Sequence, residues 1–140
     1  MKQAVLLTIR GTQHYPEQEP EVIELVTEGM LEAFDGGWKL IYEESDLTGL
    51  NGVTTTFLVE PDKITLRRKG PLSSEMVFQE GITHESLYQL EFGALMVCVR
   101  ATKVSYDISS CGGTIDLSYS IEIEQSAAGV IDYHLDIRAK

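Results

Sequence analysis

Residues 114–124 read Thr-Ile-Asp-Leu-Ser-Tyr-Ser-Ile-Glu-Ile-Glu, and residues 131–138 read Ile-Asp-Tyr-His-Leu-Asp-Ile-Arg. Apolar and polar residues alternate without a break in both. In an extended chain successive side chains point to opposite faces, so each stretch has one buried face and one wet face. Ile115, Leu117, Tyr119, Ile121 and Ile123 form one face of the first strand. Ile131, Tyr133, Leu135 and Ile137 form the matching face of the second. Ala128-Gly129 lies between them as turn material. Two half-wet strands in sequence are the signature of an antiparallel sheet.

The same period extends outward through the chain. Val5, Leu7 and Ile9 alternate with Leu6, Thr8 and Arg10, and a polar segment with two prolines follows from Gly11 to Pro20. After the turn at Asp35-Gly36-Gly37, Trp38, Leu40 and Tyr42 share a face. Beyond Asn51-Gly52, Val53, Thr55, Phe57 and Val59 share another, and the turn Glu60-Pro61-Asp62-Lys63 leads to Ile64, Leu66 and Arg68. Short strands follow around Met76 and Phe78 and around Ser86, Tyr88 and Leu90. A longer one runs through Leu95, Val97, Val99 and Ala101 and ends near Ser105. The sum is about eight to ten short antiparallel strands at meander spacing, an all-β sandwich or up-and-down barrel.

One segment resists the pattern. In Glu21 to Phe34, Val22, Leu25, Val26, Met30, Ala33 and Phe34 fit a helical stripe. Ile23, Leu25, Thr27, Gly29 and Leu31 equally fit one face of a strand. Gly29 costs a helix about 1 kcal/mol relative to Ala, whereas in a strand it marks a bulge or bend. Periodicity alone does not choose between them.

The chain has 140 residues, the size of one domain with a real core. Its net charge is -11, which disfavours nucleic acid and anionic membrane surfaces as partners. Cys98 and Cys111 are not placed to form a disulfide, and no histidine spacing joins them into a metal site. A reducing, cytoplasmic setting fits, with no cofactor and either a monomer or a homodimer. The N-terminal apolar run is too short for a signal peptide and reads as a strand.

The order of landmarks resembles the YwiB-like family of small bacterial proteins of unknown function. The matching residues are Glu21-Val22-Ile23-Glu24, then Tyr42-Glu43-Glu44 with Asp46-Leu47. Further on come Arg68-Lys69-Gly70, Phe78 with Gly81, and Tyr88 with Phe92-Gly93. The resemblance implies a lipocalin-like (calycin) meander β-barrel of one domain, closed or nearly so, in which Glu21 to Phe34 is a long, bent strand. It implies no activity. The long Gly11 to Pro20 segment and the doubled Arg67-Arg68 depart from the family pattern.

Candidate site residues follow from parity. Arg68 shares the inward face of Ile64 and Leu66, where an arginine is costly unless paired or near an opening. It is either a hook for a ligand carboxylate or phosphate, or the counterion of Glu44. Glu43 and Glu44 point to opposite faces, so both cannot serve one cavity. Glu44 is the inward one and is either a rim salt bridge or a general acid. Tyr42, Tyr88, Tyr119 and Tyr133 all fall on inner faces. They line a pocket or, as in most small barrels, fill it. His84 also has inward parity but lacks a second metal ligand, with His14 in a loop and His134 on an outer face. Lys63, Arg67 and Lys69 form an outward basic stripe, read as an edge-strand guard.

Three functions follow. The first is a non-catalytic barrel that binds a small amphipathic or anionic ligand. The second is a filled barrel acting as an interaction or assembly module. The third is an enzyme using an inward Glu and Tyr.

Overall fold

Alternation gives most strands one apolar face to bury, and the sheet must roll up to hide those faces together. The computed structural model shows that rolled sheet. It describes residues 2–15, 18–34, 36–44, 52–70, 73–90, 93–124 and 126–140, without the side chains of 88–90 and 126–128. The expected turn residues Asp35, Asn51 and Pro71, and the landmarks Asp46-Leu47 and Phe92, lie outside the described residues. Ten strands follow one another: β1 Lys2–His14, β2 Glu21–Phe34, β3 Gly37–Glu43, β4 Thr54–Val59 and β5 Ile64–Lys69, then β6 Ser74–Phe78, β7 Thr83–Leu90, β8 Gly93–Ser109, β9 Gly112–Ile123 and β10 Ser126–Ala139. They form one antiparallel sheet in the order β6-β5-β4-β3-β2-β1-β10-β9-β8-β7.

This order is a meander whose first and last strands pair. β1 and β10 run together from Val5↔Ala139 to His14↔Val130. The sheet therefore ends at β6 and β7, which are neighbours in sequence. A tight turn joins them, with Ile82 N donating to Gln79 O at 3.0 Å. Gly81 N also donates to Ala101 O on β8 at 2.9 Å. These bonds bring the two ends of the sheet together, and the barrel is nearly closed.

Residues 21–34 are a strand, paired with β1 from Glu21 to Glu32 and with β3 from Gly29 to Phe34. The strand buries Leu25 and Leu31 and leaves Val22, Val26 and Met30 exposed on the outside. Those exposed apolar residues are what mimic a helical stripe. Gly29 stands where β2 is pressed between β1 and β3. A Cβ there would lie 2.7 Å from Ile41 O and 3.0 Å from Leu7 Cδ1.

Three expected boundaries move. β1 continues through Gly11 to His14, so His14 belongs to a strand rather than a loop. β8 does not end near Ser105 but runs to Ser109. Its pairing with β9 slips between Ala101 and Lys103. Such a bulge moves the inward set from one parity to the other. Val97, Val99 and Ala101 are buried before it, and Val104, Tyr106 and Ile108 pack on the core after it. Lastly, the basic stripe on β5 is not on an edge strand, because β6 covers it.

The core is not evenly distributed. At the end holding the chain termini, Val5, Leu31, Val59, Ile64, Phe78, Ile115 and Leu135 fill the interior and are essentially inaccessible. Each such side chain contributes about 1.5–3 kcal/mol by leaving water. Glycine-to-alanine changes in strands are usually mild, but at Gly29 the new methyl meets backbone that cannot move aside. Gly29→Ala is expected to destabilise by about 1–3 kcal/mol, the cost of overpacking. Urea unfolding should show it as a lower midpoint with an unchanged slope.

Candidate functional site

At the other end of the barrel the interior is hollow. This is the end toward which β1, β3, β5, β7 and β9 run. A cavity of about 600 Å³ opens there, within the range of small-molecule sites. Two wall positions are glycines, Gly11 on β1 and Gly129 on β10. At Gly129 a Cβ would lie 2.8 Å from His14 O, so the glycine lets the two strands approach closely. The apolar walls come from Ile9, Leu25, Met76, Ile121 and Ile131. Ile23 and Glu21 on β2 border the cavity, as do Gln13 and Tyr15, whose hydroxyl donates to Gln13 Oε1.

The polar groups gather on one part of the lining. Strand β3 carries Tyr42 inward and Glu43 outward to solvent, and Glu44, just past its end, is buried again. Glu44 is held by its backbone, which donates to Val53 O at 2.9 Å. Its Oε2 accepts a hydrogen bond from Thr55 Oγ1 at 2.6 Å and lies 3.9 Å from Arg68 Nε. The Glu44 side chain is 2% exposed and that of Arg68 19%. Burying a carboxylate is costly unless it is paired and hydrogen-bonded, and Glu44 has both a donor and a counter-charge beside it.

Tyr42 and Tyr133 meet across the interior with their hydroxyl oxygens 3.5 Å apart. Their rings are anchored from below by Phe57, at centroid distances of 6.4 Å and 5.9 Å. Tyr119 leans on Phe78 in the same way at 4.6 Å. Burial, reinforced by the Glu44 charge, pushes the Tyr42 phenol up to about 12. Burial and the neighbouring Tyr42 raise Tyr133 well above its ordinary value. Both phenols are therefore protonated at neutral pH and present O–H donors. A phenol this weakly acidic does not supply a base.

Of the residues picked out by parity, Arg68, Glu44, Tyr42, Tyr119 and Tyr133 all line this one cavity. The backbone of Tyr88 pairs with Leu95, but its side chain lies outside the described residues. His84 sits apart, with Nε2 3.1 Å from Gln79 Oε1. His14 and His134 pair on the outer face with Asp132 and Asp116. Arg67 pairs with Glu75 there as well. Thr55 is a site residue that no motif marks. Its inward parity beside Phe57 was the available signal, since a buried hydroxyl requires a partner. The two wall glycines carried no such signal.

Residues 7–137 match the family described as Domain of unknown function (DUF1934). The crystal structure of the ywiB protein from Bacillus subtilis is similar, with a TM-score of 0.89 and 19% sequence identity. The similarity covers 99% of this chain and 93% of that one. At that identity the likeness is one of fold. No curated protein matches the chain.

Two outcomes test the site's electrostatics. Arg68→Ala leaves Glu44 buried without its counter-charge and should cost about 3 kcal/mol, the lower end for a broken buried pair. Replacing both partners, Glu44→Gln with Arg68→Met, should recover more than half of that loss in a double-mutant cycle read by urea unfolding. The second outcome concerns pH. Between the ordinary tyrosine value of 10.0 and about 12, the unfolded chain releases the Tyr42 proton and the folded chain keeps it. Stability should therefore fall as pH rises through that window. The melting temperature of Tyr42→Phe should fall less steeply over the same window.

Proposed function

The chain belongs to the DUF1934 family, a domain family of unknown function, and from that premise we propose that it is a non-catalytic barrel whose cavity binds a small amphipathic molecule. The observation that carries this reading is the hollow half of the barrel. Apolar walls lead from an open mouth to a compact polar cluster of Tyr42, Tyr133, Arg68 and Glu44. Ligand sites have this composition, with apolar surface for affinity and a few placed polar groups for orientation. A filled barrel acting only through its surface would not need it.

The polar cluster also narrows the head group. Arg68 is the hook, but Glu44 already answers its charge at 3.9 Å. A carboxylate entering there would meet a second negative charge in a poorly hydrated site. A hydroxyl or a protonated acid meets two phenol donors and needs no counter-charge. The favoured ligand is thus an apolar chain or ring with an uncharged or weakly acidic polar end. Lipocalin-like (calycin) barrels are the structural analogy for such binding. The two free cysteines fit the cytoplasmic setting of a small-molecule binder. An enzyme using Glu44 and Tyr42 is less well supported, because the Glu44 carboxylate is already engaged by Thr55 and Arg68.

Native mass spectrometry of the purified protein and a thermal-shift screen of matched long-chain alcohols and acids test the proposal. A co-purifying small molecule is expected, or a rise in melting temperature for alcohols at neutral pH and for acids mainly below pH 6. The rise should shrink in Arg68→Ala, and also in Ile23→Trp, which fills the cavity from a half-exposed position. If nothing co-purifies and no compound stabilises the wild type more than these variants, the cavity is not a binding site.

A further inference from the structure

One row of the inner face is polar across four strands. Tyr42 pairs with Thr55, Thr55 with Arg68 and Arg68 with Ser74, so the four stand in line across β3, β4, β5 and β6. Directly opposed residues point to the same side of a sheet, and here that side is the interior. The next row toward the chain termini, Leu40, Phe57, Leu66 and Met76, is wholly apolar. Three members of the polar row are engaged. Tyr42 meets Tyr133, and Thr55 and Arg68 both turn to Glu44. Ser74 is different. It is 7% exposed, and its Oγ has no hydrogen-bond partner among the described residues. Buried hydroxyls in native structures are paired, so an unpaired one marks a missing partner.

Ser74 stands beside the polar end of the cavity. Arg68 opposes it with a Cβ about 5 Å away, and Met76 lies two positions along the same face of β6. Both line the cavity. Ser74 itself borders a smaller recess next to Arg68, whose side chain lines both spaces. A second hydroxyl of this kind lies across the seam. Ser86 on β7 also has a buried Oγ without a partner among the described residues. It opposes Val97, which opposes Ile123 of the cavity wall, so Ser86 too faces inward. Each strand that bounds the seam thus turns an unsatisfied hydroxyl to the interior.

We propose, resting on the reading of the cavity as a binding site, that it selects a ligand whose polar end is a vicinal diol on an apolar chain. The first hydroxyl accepts from the phenols of Tyr42 and Tyr133. The second lies beside Arg68 and bonds to the serines at the seam, chiefly Ser74. A hydroxyl both donates and accepts, as serine does, so the pair bonds in either sense. A head group with a single hydroxyl meets the phenols and leaves the serines unpaired. A carboxylate would bring a second negative charge next to Glu44, which already answers Arg68. The polar row therefore favours a neutral head with two hydrogen-bonding groups.

Isothermal titration calorimetry at neutral pH, with decanol and with decanediol bearing vicinal hydroxyls, tests this. The probes share one chain and differ by one hydroxyl. The diol should bind the wild type about three- to tenfold more tightly, the net effect of one neutral hydrogen bond. That preference should shrink in Ser74→Ala and vanish when Ser86→Ala is added. It is a ratio within each variant, so a general loosening of the barrel does not imitate it. Equal affinity of the two probes for the wild type means that water satisfies the serines, and it overturns the inference while leaving the cavity reading intact. A preference unchanged in the double variant also overturns it. Ser74→Ala removes an unpaired hydroxyl and should not lower the urea midpoint; a clear drop would show that the protein itself satisfies Ser74, and the inference would fall. If neither probe binds the wild type, or both bind Ile23→Trp equally well, the cavity reading fails and the inference with it.

Discussion

The pairing of β1 with β10 is the constraint on which the rest of the molecule depends. It joins the two ends of the chain along ten residue pairs, from Val5↔Ala139 to His14↔Val130. A meander without that pairing would be an open sheet with two long exposed edges, which is a hazard for aggregation. With it, the free ends move to β6 and β7, which a tight turn holds together. Closure is thereby almost complete. The incomplete part lies at the seam between β6 and β7.

Closure also fixes what the interior can be. A barrel of this size is commonly filled by its own side chains. Here the filling stops halfway. The end near the termini is packed with aliphatic side chains and Phe78, and it supplies the stability. The end opposite the termini is left hollow, with Gly11 among its walls. The aromatic layer between the halves serves both. Phe57 and Phe78 belong to the packed core, and the tyrosines stacked on them turn their hydroxyls toward the cavity. Packing below therefore sets the position of the polar groups above. The Glu44–Arg68 pair sits at this same level, and its charges are tolerable because Thr55 and the partial opening share the cost of desolvation.

Most strand faces were legible from residue order alone. Parity placed Tyr42, Glu44, Arg68, Tyr119 and Tyr133 inward, and the structure brings all five to one cavity. Two elements were not legible from periodicity. β2 carries apolar residues on both faces, so neither period dominates, and the family resemblance rather than the pattern pointed to a strand. β8 contains a bulge, which breaks alternation within a single continuous strand, so the expected end at Ser105 fell short of Ser109. A bulge depends on the register of the partner strand, which is not encoded locally.

What the amino-acid order determined by itself was direction: which side chains face in, which face out, and where the chain must turn. Those properties follow from the two-residue period of an extended backbone and from the turn chemistry of Gly, Pro and Asn, all of which act over a few residues. Volume and partnership were decided only by the tertiary structure. The cavity exists because residues from distant strands leave a space none of them fills. Arg68 reaches Glu44, and Tyr42 reaches Tyr133, only once the sheet has rolled up and closed. Such relations depend on three-dimensional distance, which a one-dimensional pattern does not contain.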